Sequence, residues 1–66
     1  MRWTPGAKIA VEHTLIRADH ETVGRAITYA EELAEYLKSA IVDTDIWIQA
    51  LIHIKHERND QMRDAS

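Results

Sequence analysis

Between Asp19 and Val42 the apolar residues Val23, Ile27, Ala30, Ala34, Leu37 and Ile41 step by 4, 3, 4, 3, 4. That is the a/d spacing of a helix seam that packs against another helix. Four of the flanking or seam positions are alanine, and small side chains let two backbones approach closely. Ala26, Leu33 and Ala40 widen the stripe, and Tyr29 and Tyr36 repeat at the same seven-residue offset along its edge. The opposite face carries Arg25, Thr28, Glu31, Glu32, Glu35, Lys38 and Ser39. Asp19 suits the N-cap, Glu21 suits the positive end of the helix dipole, and Glu21 with Arg25 forms an i,i+4 pair in the better order. Gly24 weakens the helix by about 1 kcal/mol relative to Ala, but near its start.

A helix with such a seam needs partners, and the rest of the chain must supply them. The segment Ile46 to Glu57, "IWIQALIHIKHE", is the other strong signal. On a wheel at ~100° per residue, Ile46, Trp47, Ala50, Leu51 and Ile54 cover one broad face. Ile48 and Ile52 extend it to roughly two-thirds of the circumference, against the third that a surface helix normally shows. Asp43 or Thr44 can cap this helix, which is expected to run from about Asp45 to about Asn59. The surplus apolar arc predicts an interface with a second copy, with Trp47, Ile48, Leu51 and Ile52 as contacts and Tyr29 and Tyr36 as further partner-binding aromatics. The competing expectation is that Trp47 fills a three-helix core within one chain.

The N-terminal segment reads two ways. Thr4 as N-cap and Pro5 as first helical residue open a helix. Its stripe would be Ala7, Val11, Leu15 and Ala18, with Ala10 and Thr14 beside it. The alternation of Ile9, Val11, His13 and Leu15 against Ala10, Glu12, Thr14 and Ile16, with its β-branched content, fits a strand instead. The Thr-Pro start tips the reading to helix.

The resulting fold class is all-α: a helical hairpin or three-helix unit assembled as a homodimeric bundle. The alternative is an N-terminal strand followed by two helices. With 66 residues there is one domain, 1–66, with an arm at 1–4 and a frayed tail at 60–66. A chain this short has a marginal core and usually relies on disulfides, metal, oligomerisation or very regular helix packing. There is no cysteine. Disulfides and thiolate metal sites are therefore excluded, and a cytoplasmic location is expected.

Charge and motifs narrow the functions. The net charge is −3, from 8 Lys+Arg against 11 Asp+Glu, and the basic residues are scattered. Phosphate backbones attract clustered positive charge, so nucleic acid is a poor partner. No apolar run approaches the ~18 residues of a membrane span, and none resembles a leader peptide. Gln49, His53, His56, Glu57 and Asp60 share a polar face. His53, His56 and Asp60 are weak candidate metal ligands, with His13 and His20 as contributors from elsewhere. Their H-x-x-H-E order matches neither the H-E-x-x-H of zinc peptidases nor the Glu-x-x-His of di-iron bundles. Such a row also suits a solvated face, so no cofactor is expected. Glu31, Glu32 and Glu35 lie opposite the seam and read as solvated. No catalytic constellation is visible, which argues against an enzyme.

The expected function is a small helical protein–protein interaction module. It would act as a homodimer that binds and modulates or inhibits an unidentified partner protein. Two alternatives stand beside it: a small dimeric DNA-binding regulator, from the strand–helix–helix order, and a divalent-metal-binding protein using the histidine row.

Overall fold

The computed structural model describes the backbone of residues 2–64 and the side chains of residues 2–58. Three helices dominate: α1 (Pro5–Arg17), α2 (His20–Tyr36) and α3 (Thr44–Asp64). Two short strands accompany them, β1 (Arg2–Trp3) and β2 (Ile41–Val42). They pair in parallel, Arg2 with Ile41 and Trp3 with Val42, and the Thr4 N–H extends the ladder to the Val42 carbonyl at 3.1 Å.

Local chemistry sets each helix start. Thr4 caps α1 by accepting a hydrogen bond from the Ala7 N–H at 3.2 Å, with Pro5 in the first turn. Asp19 caps α2 through the Thr22 N–H at 3.0 Å. Asp43 caps α3 through the Ile46 N–H at 2.9 Å. Each cap satisfies one of the donors that a helix N-terminus leaves open. The helical expectation for residues 8–16 holds, and the strand alternative for that segment is removed. Ala7 is buried and Ala10, Val11 and Ala18 pack against or near the core, while Leu15 remains partly exposed.

The α2 seam is shorter than its spacing predicts. The helix stops at Tyr36, so Leu37 and Ile41 leave the seam and are exposed. The Lys38 N–H donates to the Glu35 carbonyl at 3.0 Å, and the Ser39 N–H to the Ala34 carbonyl at 2.8 Å. This pair of bonds is a Schellman ending, with Lys38 in the left-handed region at φ 56°. Glycine normally takes that position, so its absence hides the helix end in the sequence. The expected arm at residues 1–4 is likewise replaced: residues 2–3 form β1. Helix α3 continues to Asp64, past the expected end at Asn59. Residues 65–66 of the expected tail lie outside the described residues.

The core sits between α2 and α3. Ala26, Ala30 and Ala34 of α2 and Ala50 of α3 are fully buried, so the two backbones meet through small side chains. Val23, Val42, Ile46, Trp47 and Ile54 complete it. Trp47 is only 1% exposed within a single chain. The expectation that it contacts a second copy is therefore corrected: it plugs the protomer's own core. Trp3, held by β1, meets it edge to face, with ring centroids 5.7 Å apart and 64° between planes. Among the described residues the Trp47 indole N–H has no hydrogen-bond partner, a cost of about 1–3 kcal/mol that the packing of the large ring offsets.

Candidate functional site

Two separate surfaces carry the residues singled out from the sequence. The first is the outer side of α3. Ile48 and Ile52 stand there 47% and 50% exposed, one turn apart. Leu51 beside them is half-buried, packed toward the core. Asp45 and Lys55 lie at either end of this side and are exposed. The wheel explains the division. Ile46, Trp47, Ala50 and Ile54 occupy the arc that α1 and α2 cover, and Ile48 and Ile52 fall beyond it.

The second surface is an open groove of about 460 Å³ between α2 and α3, lined by residues that include Arg25, Tyr29, Glu32, His53 and Glu57. The Tyr29 and His53 rings stack, with centroids 4.0 Å apart and planes 5° from parallel. Glu57 accepts from the Arg25 guanidinium at 3.0 Å and faces His53 Nε2 at 3.4 Å. Arg25 thus pairs across the helices and not with Glu21 as its i,i+4 spacing suggests. All three ionisable groups of this network are substantially exposed. Each pair therefore contributes on the order of 0–1 kcal/mol, and the groove is a solvated seam edge.

The proposed interface residues do not form one patch. On α3, His53 sits roughly 100–140° around the axis from Ile52 and Ile48, so Tyr29 belongs to the groove and not to the isoleucine side. Tyr36 is 82% exposed at the C-terminal end of α2. Trp47 is inside. Among the described residues, no three His, Asp or Glu side chains are placed to share an ion. Glu57, the acid nearest His53, is already held by Arg25. His13 lines a different groove, beside Thr14, Arg17 and Leu51. The Asp60 side chain lies outside the described residues. None of the described helices is long and apolar enough to cross a membrane.

The Asp19 carboxyl is held below the usual aspartate range. The hydrogen bond with the Thr22 side chain is the largest cause, followed by that from the Thr22 N–H, with a smaller contribution from the Arg58 charge. This is a capping effect and carries no sign of acid–base chemistry. Sequence reasoning missed two features of the surface: the Tyr29–His53 stack and the Arg25–Glu57 bridge. Both join residues more than twenty positions apart, which no helical spacing reports.

What the fold and surfaces define is a class: a three-helix protein with a short parallel strand pair and an apolar stripe on its third helix. Compared with protein-family models, curated proteins and solved structures, the chain matches none.

Proposed function

We propose that this chain is a small helical interaction module. It acts as a homodimer and binds a partner protein, which it modulates or inhibits. One observation supports this reading above the others: Ile48 and Ile52 stay half-exposed on a helix whose other large apolar side chains, among the described residues, are covered or half-buried. Two adjacent β-branched side chains on a regular helix form a ready ridge for another helix or a groove. The DNA-binding alternative loses its motive, because residues 8–16 are helical and the net charge is negative.

The test is sedimentation equilibrium over a wide concentration range, with circular dichroism on the same samples. The reading expects a helical, concentration-dependent dimer. Ile48→Gln with Ile52→Gln is expected to leave helicity unchanged and to abolish association with a second copy. A helical protein that stays monomeric throughout would remove the homodimer from the proposal.

A further inference from the structure

Resting on the homodimer reading above, we infer that the second copy docks along a single stripe of α3, antiparallel, about a two-fold axis passing between Ile48 and Ile52. The stripe is Asp45, Ile48, Ile52 and Lys55, stepping by 3, 4, 3. This is a short a/d seam, the spacing that packs two helices at a shallow left-handed angle. It is distinct from the α2–α3 seam inside the protomer. All four residues are exposed, and neither Asp45 nor Lys55 has an ion pair among the described residues.

The order of the four residues reads the same from either end, with charge reversed. An acid, two isoleucines and a base follow one another along about 15 Å of helix. A two-fold interface must be self-complementary, because one patch meets its own copy. Laid antiparallel, Ile48 faces the second copy's Ile52, and Asp45 faces the second copy's Lys55. Symmetry makes each of these contacts twice. Laid parallel, Asp45 would face Asp45 and Lys55 would face Lys55, so both ends would repel. Charge therefore selects the antiparallel arrangement. Of the positions flanking the stripe, Thr44 and Leu51 on one side and Gln49 on the other carry no charge. The stripe is small beside a standard interface, so the dimer is weak and depends on concentration.

Sedimentation equilibrium at low salt, up to about 1 mM protein, tests this with charge-reversed chains. Asp45→Lys alone turns both end contacts repulsive and is expected to weaken the dimer roughly tenfold, as is Lys55→Asp alone. Mixing the two variants in equal amounts restores attraction at both ends and is expected to recover wild-type affinity as a heterodimer. High salt is expected to shrink all these differences. Circular dichroism monitors folding, and Lys55→Asp serves as the second variant if Asp45→Lys loosens the first turn of α3. Single reversals that dimerise like wild type would overturn the antiparallel register while leaving the homodimer intact. Dimers of Ile48→Gln/Ile52→Gln as tight as wild type would overturn the stripe. A wild-type monomer at every concentration would overturn the homodimer reading itself.

Discussion

The two sides of α3 are made of the same kinds of residue and behave differently. Its inner side presents Ile46, Trp47, Ala50 and Ile54 to α1 and α2, and these are at most 7% exposed. Its outer side presents Ile48 and Ile52, which remain about half-exposed. Hydrophobicity alone does not separate them. Position relative to neighbouring backbones does, and the neighbours are placed by alanines on α2 that admit close approach. A 66-residue chain of typical stability has roughly 3–10 kcal/mol in total. Each inner side chain is therefore worth a large share of that stability, and each outer one little.

The sharpest way to break this contrast is Trp47→Ala. Removing the largest buried side chain is expected to cost about 3–5 kcal/mol, enough to unfold much of the population at 25 °C. Ile52→Ala on the outer side is expected to cost under about 1 kcal/mol. Urea titrations of both variants would show it, and equal losses would contradict the division. Next in size is Ala30→Leu. A larger side chain at a fully buried position between α2 and α3 forces the helices apart, at an expected cost of about 1–3 kcal/mol in the same titration.

Smaller effects belong to the exposed ends of the helices. Lys38 holds a left-handed conformation that costs a side-chain-bearing residue roughly 1 kcal/mol. Lys38→Gly is expected to raise stability by about that amount, seen as a higher thermal midpoint. The smallest effect follows pH. The folded state holds the Asp19 carboxyl below its unfolded value. Its contribution is then fully present above the unfolded pKa and is lost as pH falls through the lower, folded one. Stability below about pH 4 is expected to decline less steeply in Asp19→Asn, which keeps a capping side chain without the titration. Parallel acid-unfolding curves for the two chains would refute that role.

What could be read in the sequence was what depends on neighbours in the chain. Thr4, Asp19 and Asp43 cap helices because a short side-chain oxygen reaches an N–H three residues on. The Ala-rich seam of α2 and the apolar excess of α3 follow from helical period. The unread part is what distant segments decide. Nothing in two residues such as Arg2–Trp3 announces a strand, since its partner is β2. The α2 ending at Lys38 lacks the glycine that would mark it. Trp47 belongs to an arc that any of three neighbours could cover, and only packing chose the protomer itself. For the surface, exposure of Ile48 and Ile52 was expected, whereas the partner of Arg25 was assigned to Glu21 because local spacing is all that a wheel can show.

The parallel pair β1–β2 has a consequence for the order of folding. It joins segments about 40 residues apart, so it must wait for a long loop to close, whereas the α2–α3 hairpin closes a connection of a few residues. The hairpin is the natural nucleus, and α1 with its leading strand settles on it late. Weakening the pair, for instance with Trp3→Ala, should then quicken unfolding in stopped-flow measurements and leave the refolding rate nearly unchanged. The strand pair would act as a latch: it does not speed the fold's formation, but it lengthens its lifetime.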